Sequence, residues 1–408
     1  MAVPKLRFKE FDGDWNSIAI GKFLKIKSGL GFKAEEYSTE QEIRLLQIEN
    51  VGYGAVKWTH NVKFVPTNYL DVHKDLVLKE GDLVLALNRP VTNDQLKIAK
   101  LTQEDSPSIL YQRVGKLDFL KEDIDKEFIF QIFKKDVKNY VLNSSIGSDQ
   151  PFISTTDLYK HKLCIPLKEE QTKIASFLSA VDEKISQLTQ KHELLSQYKQ
   201  GMMQKLFSQQ LRFKADDGSE FGEWEEIKLT DFLKFTPRPI EKPNTNYHAL
   251  GVRSHFKGLF NKFDSEPNKI SMDTLYRVKR NDVVVNITFA WEGAMAIAEK
   301  EHDEGLVSHR FPTYLCDDSK INLHFFKYRF IQKDFLSALQ LCSPGGAGRN
   351  RVLNKSAFLE ISFSKPTLEE QTKIANFLSA IDQKIEVVAQ QIEQAKTWKK
   401  GLLQQMFV

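Results

Sequence analysis

Residues 169–185 read EEQTKIASFLSAVDEKI, and residues 369–385 read EEQTKIANFLSAIDQKI. Fourteen of the seventeen positions are identical at an offset of 200 residues, and the three differences are conservative. A weaker match continues to Phe207 in the first copy and to Phe407 in the second. Self-similarity at one fixed offset indicates a scaffold that the chain uses twice.

Both copies carry an apolar stripe in which steps of four and three residues alternate, the pattern of a coiled coil. Glutamate pairs at the start of each copy favour a helix N-terminus. We therefore predict two helices of about 36 residues, each roughly 55 Å long. The stripe positions are Ile174, Leu178, Val181, Ile185, Leu188 and Leu195 in the first copy, and Ile374, Leu378, Ile381, Ile385, Val388 and Ile392 in the second.

Two packing arrangements fit these stripes. Each helix could pack only on its own domain, or the two helices could pack on each other; their matching stripes and similar lengths favour the second arrangement. His192 falls within the first stripe, where we interpret it as a register or edge feature rather than a metal ligand.

A second, weaker repeat begins each half of the chain. Residues 6–8 and 211–213 both read LRF, and a Gly-acid-Trp triplet ends at Trp15 and at Trp224. The residues between these frames and the helices differ in the two halves. We predict four parts: a variable domain at 1–167, a helical segment at 168–208, a second variable domain at 209–366 and a C-terminal helical segment at 367–408.

Each variable insert reads as an α+β domain. Short β-type runs occur at 79–87 and 280–287, and helical patterns follow at 123–141 and 323–341. A polar loop with glycine comes after each helical pattern.

These loops, and the segments after the β-type runs, are rich in side chains that can read base edges. Arginine suits guanine, and asparagine or glutamine suits adenine, because each can form two hydrogen bonds in the major groove. The predicted DNA-binding residues are Asn88, Arg89, Gln112, Arg113, Ser148 and Gln150 in the first insert, and Arg253, His255, Lys257, Trp291, His309, Arg310, Arg349, Asn350 and Arg351 in the second.

Composition allows folded domains but does not identify a partner. The 408 residues are 41% hydrophobic and 11% aromatic, enough to bury more than one core. The net charge of +4 is too small to indicate nucleic acid by itself, so any DNA contact must come from local clusters of cations. The N-terminus lacks an apolar signal segment and no stretch is apolar enough to span a membrane, so we expect a soluble, cytoplasmic protein.

Motifs for catalysis and for metal binding are missing from the sequence. The three cysteines form no CxxC pair, and there is no GxxxxGK(S/T) phosphate loop, GxSxG elbow or HExxH pair. The (N/D)PP(Y/F) tetrapeptide of an adenine methyltransferase is also missing. We expect no catalytic residue, no metal site and no cofactor in this chain.

Two dissimilar domains, each followed by a helix with the repeated sequence above, resemble the specificity subunit of type I restriction-modification enzymes, the HsdS family. The resemblance spans the chain and rests on residues 166–185 and 366–385, on the Gly-Asp-Leu-Val run at 81–84, and on Pro-Lys-Leu-Arg-Phe at 4–8.

The resemblance implies an α+β fold with two pseudo-repeated target-recognition domains separated by two long antiparallel coiled-coil helices. Each domain would read one half of a bipartite site in double-stranded DNA, and the helices would set the spacing. Two methyltransferase (M) subunits would dock on the repeated regions, and restriction (R) subunits would join them. S-adenosylmethionine, ATP and Mg²⁺ would bind to those partners.

Two other functions remain possible from the sequence. A DNA-modifying enzyme or enzyme fragment would methylate DNA on its own, although its motifs are missing. A coiled-coil adaptor that does not bind DNA would lack any salt-dependent affinity for it.

Overall fold

The apolar runs before Leu87 and Ile287 both form fully buried central strands, at Leu83–Ala86 and Val283–Val285. The computed structural model describes residues 3–144, 152–345 and 351–407. Both faces of these strands are covered, which explains why each run is aliphatic throughout rather than alternating between apolar and polar residues.

The same turn introduces each of these strands. Asp82 and Asp282 each accept a 2.8 Å hydrogen bond from the backbone N–H three residues earlier. Gly81 and Asn281 adopt positive φ angles of 79° and 71° in this turn. Glycine and asparagine are the residues that tolerate this conformation best, so the sequence specifies the turn twice.

The chain divides into two units. Unit 1 comprises Met1–Gln190 with Ala389–Val408, and unit 2 comprises Lys191–Val388. Both boundaries fall inside a long helix, so each unit contains the first part of one long helix and the last part of the other.

In unit 1, the main sheet has the strand order β2-β12-β7-β10-β4, a second sheet has the order β5-β3-β11-β6, and β1–β13 and β8–β9 form two-stranded pairs. The strands are β1 (Asn16–Ala19), β2 (Leu24–Ser28), β3 (Ile43–Leu46), β4 (Tyr53–Ala55), β5 (Phe64–Val65), β6 (Val77–Leu78), β7 (Leu83–Ala86), β8 (Val91–Thr92), β9 (Gln95–Leu96), β10 (Ile98–Lys100), β11 (Ser108–Leu110), β12 (Val114–Phe119) and β13 (Lys162–Ile165). The helices are α1 (Tyr69–Val72), α2 (Lys126–Phe133), α3 (Asp136–Ser144), α4 (Thr155–Leu158) and the start of α5 (Lys168–Phe207), with short 3₁₀ helices at Ile20–Lys22, Ala34–Glu36, Ile48–Asn50, Lys74–Leu76 and Gln103–Asp105.

Unit 2 repeats part of this plan: its order β15-β23-β20-β21 matches β2-β12-β7-β10, and β14–β24 matches β1–β13, while its second sheet, β16-β19-β22-β17-β18, differs. The strands are β14 (Glu225–Lys228), β15 (Leu233–Phe235), β16 (Pro239–Glu241), β17 (Tyr247–Val252), β18 (Leu259–Ser265), β19 (Thr274–Arg277), β20 (Val283–Val285), β21 (Met295–Ile297), β22 (Leu306–Val307), β23 (Thr313–Cys316) and β24 (Ser362–Lys365). The helices are α6 (Leu323–Phe330), α7 (Lys333–Leu341), α8 (Lys355–Leu359) and α9 (Leu368–Met406), with 3₁₀ helices at Leu229–Asp231, Pro267–Lys269, Ala290–Glu292 and Lys300–His302.

The predicted α+β fold with two long helices is confirmed, with differences in detail. Helices α5 and α9 have 40 and 39 residues, slightly longer than expected. Each of the helical stretches predicted at 123–141 and 323–341 is two helices. In unit 2 the break comes at Gln332, whose extended backbone (φ −72°, ψ 153°) cannot continue a helix.

The long helices run antiparallel within each unit, and both packing arrangements considered from the sequence occur together. In unit 1, Ile174 and Leu178 of α5 enter the same core as Leu402 and Met406 of α9. In unit 2, Ile374 and Leu378 of α9 share a core with Leu206 of α5. Each helix therefore starts in the core of its own domain and ends in the core of the other domain. All predicted stripe positions are buried or half-buried.

A polar cluster joins the two helices in each unit. In unit 1, Asp182 of α5 accepts hydrogen bonds from Lys399 of α9 and, at 3.2 Å, from Lys134. In unit 2, Asp382 of α9 pairs with Lys199 of α5 at 2.5 Å. Lys199 and Lys399 are separated by the 200-residue offset of the repeat, and each has a carboxylate partner on the opposite helix.

Burial governs the titration of the unit 1 cluster. Burial first, and the nearby Lys399 second, lower the pKa of Lys134 to about 8. Burial by itself would raise the pKa of Asp182, but the adjacent Lys134 and Lys399 hold it below its usual range. Asp182 is therefore ionised at neutral pH and can hold both ammonium groups.

The repeated LRF segments are fixed to the helix starts by equivalent ion pairs. Arg7 donates to both oxygens of Glu170, at 2.8 and 2.7 Å, and Arg212 donates to both oxygens of Glu370, at 3.1 and 2.6 Å. The Glu370 side chain is fully buried. Removal of either arginine would leave a buried, unpaired carboxylate, which is far more costly than loss of an exposed pair.

None of the helices in the described residues combines the length and apolar character needed to cross a membrane.

We predict that Arg212→Ala destabilises unit 2 by about 3–5 kcal/mol, because Glu370 loses its arginine partner while staying buried. Urea unfolding of the full chain measures the change. Lys228→Ala is the matched control: it breaks an exposed ion pair with Glu360 and should cost much less. Equal losses in the two variants would contradict this account.

Candidate nucleic-acid interface

The end of strand β7 brings two predicted DNA-binding segments of unit 1 together with residues 152 and 153. The Leu87 N–H donates to the Arg113 carbonyl at 2.9 Å, and the Leu87 carbonyl accepts from the Ile153 N–H at 2.8 Å. Asn88 forms an antiparallel bridge with Phe152. The segments around 88, 112 and 152 therefore meet at one surface, which we call the cationic face of unit 1.

Two exposed arginines on this face have an uncommon backbone conformation. Arg89 and Arg113 have φ angles of 47° and 66°. Such angles cost free energy in a residue with a side chain, and they concentrate at functional sites. Both side chains are exposed, and neither guanidinium has a hydrogen-bond or ion-pair partner among the described residues.

A loop from the start of the domain completes the face. The Gln112 N–H donates to the Leu30 carbonyl at 2.9 Å. Gly29 has no room for a Cβ, which would lie 2.4 Å from the Tyr111 carbonyl oxygen, so glycine is required for this close approach. Leu30 is thereby held, 52% exposed, beside Gln112.

A hydrogen-bonded pair of tyrosines lies next to this loop. The Tyr37 and Tyr111 hydroxyls lie 3.1 Å apart. This hydrogen bond, together with burial, raises the pKa of Tyr37 to about 12. Tyr37 is therefore neutral at physiological pH and adds no negative charge to this loop.

The end of strand β20 repeats the arrangement in unit 2. The Ile287 N–H donates to the Arg310 carbonyl at 3.0 Å, and the Ile287 carbonyl accepts from the Leu353 N–H at 2.8 Å. Arg310 is thus the counterpart of Arg113, and it is also exposed. His309, exposed as well, corresponds to Gln112.

The segments around 287, 310 and 353 form the cationic face of unit 2, and a tight turn adds further side chains to it. His255 adopts a φ of 60°, and its N–H donates to the Glu292 carbonyl at 2.7 Å. The Ser254 hydroxyl donates to the Glu292 carboxylate at 2.7 Å. These bonds hold the turn against Glu292, the residue after Trp291, and the side chains of His255 and Lys257 in the turn are exposed.

Trp291 and Arg351 contact each other on this face. The Arg351 guanidinium lies 5.2 Å from the centre of the Trp291 ring, within cation–π range. The indole N–H donates to the Thr288 carbonyl at 3.2 Å, which fixes the ring. Trp291 therefore positions Arg351 and is half-buried itself.

The other predicted DNA-binding residues have partners within the protein, are half-buried, or lie outside the described residues. Arg253 donates to the Leu259 carbonyl at 3.1 Å and lies 4.8 Å from the centre of the Phe260 ring, so its guanidinium already has partners within the protein. Asn88 is half-buried beneath the face. Four predicted residues lie outside the described residues: Ser148, Gln150, Arg349 and Asn350.

Sequence reasoning missed the equivalence of the segments 112–113 and 309–310. Their offset is 197 residues rather than the 200 of the helix repeat, and their side chains differ except for one arginine. It also missed the exposed apolar residues on both faces: Leu30, Phe152 and Val352. Alignment of the two halves on the Asp82 and Asp282 turns would have found Phe152 and Val352.

No group of three or more metal-ligating side chains is positioned to hold a metal ion in the parts of the chain that the structure describes. A cavity of about 710 Å³ borders the cationic face of unit 2. Ser254 and Glu292 line it on the side of the turn, and Ser308 and Phe311 line it beside His309.

A second duplicated surface involves the long helices. Its residues are distant in sequence from the ends of β7 and β20. In unit 1, the Phe177 ring packs edge-on against Phe8 and Trp398, each at 5.9 Å, and Trp398 is 54% exposed. We call these three residues the aromatic cluster of unit 1.

The aromatic cluster of unit 2 has the same construction. Phe377 packs against Phe213 at 5.5 Å and against Tyr198 at 6.5 Å, and Tyr198 is 51% exposed. Each cluster combines an LRF segment, the start of one long helix and the end of the other. The clusters are therefore products of the helix pairing.

Comparison with known proteins gives a consistent family. The model of the family described as type I restriction modification DNA specificity domain matches this chain twice, over residues 12–197 and 222–397. The specificity subunit of the type I restriction enzyme MjaVIII from Methanocaldococcus jannaschii is 38% identical over 218 residues, which are 52% of this chain and 50% of that protein. The specificity subunit of the Escherichia coli enzyme EcoAI is 28% identical over 180 residues, 43% of this chain and 29% of that protein. The chain thus aligns with half or less of the length of these curated relatives.

Solved structures share the fold. The crystal structure of a type I restriction-modification S subunit from M. genitalium superposes with a TM-score of 0.61 at 16% identity, covering 100% of this chain and 99% of that one. A chain from a study of complex assembly in a type I system gives a TM-score of 0.51 at 15% identity, with 97% of each chain covered. The two family matches together cover well over half of the residues. The chain therefore belongs to the type I restriction modification DNA specificity domain family, and it contains that domain twice.

Proposed function

We propose that this chain is the non-catalytic DNA-recognition subunit of a type I restriction-modification complex, and that each unit reads one half of a bipartite target in double-stranded DNA. The observation that carries the proposal is the duplicated arrangement at the ends of β7 and β20, where Arg113 and Arg310 occupy equivalent, exposed positions. Arginine can bind guanine through two hydrogen bonds in the major groove.

The remaining cations have a different role in this proposal. His255 and Lys257 extend from a turn that is fixed to the protein by backbone hydrogen bonds. Contacts from such rigid elements to phosphates fix the register of the protein on the duplex without reading the sequence. The differences between the two faces would make the two half-sites different in sequence.

In this proposal the helices hold the two recognition domains apart and thereby set the distance between the half-sites. The four predicted parts, 1–167, 168–208, 209–366 and 367–408, keep their roles as recognition domains and helical spacers. Antiparallel pairing of α5 with α9 supports a stiff spacer, because each helix is anchored in a core at both of its ends.

Two methyltransferase subunits dock on the repeated surfaces, and restriction subunits join them. Support comes from the two aromatic clusters, since two similar surfaces suit two copies of one partner. S-adenosylmethionine, ATP and Mg²⁺ would bind to those partners, whose chemistry this chain directs to a DNA sequence.

The direct test is co-expression with a cognate methyltransferase subunit, followed by mapping of methylated adenines across the genome. We predict methylation at a bipartite motif with a fixed gap. Methylation by this chain alone would contradict the non-catalytic role, and a continuous motif would contradict half-site reading.

We predict that Arg310→Ala and Arg113→Ala each relax one base position, in different halves of the motif. Each should weaken binding to the target by about 1–3 kcal/mol if the arginine reads guanine. Fluorescence anisotropy with single-base variants of the target measures both effects. Arg280→Ala is the matched control, because this exposed arginine precedes strand β20 whereas Arg310 meets its other end. A loss that is equal for all sequences would identify a phosphate contact instead.

We predict that Trp398→Ala and Tyr198→Ala each remove one methyltransferase subunit from the complex, because each truncates the exposed ring of one aromatic cluster. Native mass spectrometry of the assembled complex should show one bound copy in each single variant and none in the double variant. Phe263→Ala, which truncates an equally prominent ring at 68% exposure on β18, should retain two copies. Two copies in the double variant would contradict the docking proposal.

A further inference from the structure

Phe152 and Val352 occupy equivalent positions in the two units. Each comes immediately before the residue whose N–H donates to the carbonyl of Leu87 or of Ile287. Their side chains are 68% and 53% exposed. The next residues, Ile153 and Leu353, are 5% and 3% exposed. Because successive side chains of an extended segment point to opposite sides, the inward residue fills the core and the outward residue lies on the cationic face.

Core packing does not account for the apolar character of Phe152 and Val352. Neither belongs to a hydrophobic core cluster of its unit, and a polar residue at either position would leave the inward neighbour in place. Single exposed apolar residues are common on protein surfaces and need no explanation. The same exposed position in both units, next to equivalent arginines, is a duplicated feature of the candidate interface.

DNA offers one apolar group to a reader of base edges. The 5-methyl group of thymine is the apolar feature of the major groove, and apolar side chains long enough to reach it, such as phenylalanine, contact it. Arg113 and Arg310 meet the same strand ends as Phe152 and Val352, through Leu87 and Ile287. An apolar side chain in this position would gain from burial against a methyl group and would lose nothing already packed.

We propose that Phe152 and Val352 are specificity residues that contact thymine methyl groups, one in each half of the target. This inference rests on the proposed function. It assigns each cationic face a combined chemistry, with an arginine for hydrogen bonding and an apolar residue for a methyl group.

The test replaces each thymine of the mapped target by deoxyuridine, which removes only the methyl group. The full chain is assembled with its methyltransferase subunits, and anisotropy measures the dissociation constant. We predict that replacement of one thymine in each half weakens binding about fourfold, which corresponds to the free energy of burying one methyl group. Phe152→Ala should abolish this difference in one half only, and Val352→Ala should abolish it in the other half only.

Matched controls separate this effect from general loss of apolar surface. Phe263→Ala truncates a phenylalanine that is also 68% exposed, and Val72→Ala truncates a valine that is 66% exposed on α1. Both controls should retain the full difference between thymine and deoxyuridine in both halves.

The outcomes also separate this inference from the proposed function. Specific binding with no thymine in one half, or with a deoxyuridine effect that persists in Phe152→Ala and Val352→Ala, would overturn the methyl contacts and leave DNA recognition intact. Equal losses for thymine and deoxyuridine in the two variants would also overturn them, since a wedge between base pairs would act in this way. Absence of any specific binding by the unaltered complex would overturn the proposed function itself.

Discussion

The structure depends on one constraint: each domain needs the end of the other domain's helix to complete its core. Leu402, Met406 and Phe407 are buried in unit 1, and Leu206 is buried in unit 2. Both helix ends are therefore fixed by burial, and the two ion pairs, Asp182–Lys399 and Asp382–Lys199, add polar contacts between the helices. Apolar burial supplies most of this stabilisation, because the carboxylates are only partly shielded from solvent.

This exchange of helix ends explains why the frames are alike while the inserts differ. The LRF segments, the helix starts and the helix ends must fit one another in both units, so Arg7–Glu170 and Arg212–Glu370 repeat almost unchanged. The inserts must only present the ends of β7 and β20 at their surfaces. Side chains on those faces are free to differ, as the proposed reading of two unlike half-sites requires.

Much of the fold could be predicted from the sequence, and less of the candidate site. Apolar residues spaced alternately four and three positions apart, starting from Ile174 and from Ile374, predict the helices, because burial of one helical face requires that period. It could not show that Phe407 reaches the core beside Trp15, since this contact joins opposite ends of the chain. Similarly, Arg89 and Arg113 were candidates by residue type, but their shared surface depends on hydrogen bonds to Leu87 that leave no pattern in the sequence. The exposed Phe152 reads in sequence as one more core residue.

Hydrogen exchange on two variants tests the exchanged helix ends most directly. Met406→Asp places a charge in the core of unit 1, and Leu206→Asp does the same in unit 2, where the native side chains are 2% and 1% exposed. Our account predicts that Met406→Asp removes protection from the strands of residues 16–165, and that Leu206→Asp removes it from the strands of residues 225–365. Loss of protection in the domain that precedes each altered helix in sequence would contradict the account, because each helix end would then belong to its own domain.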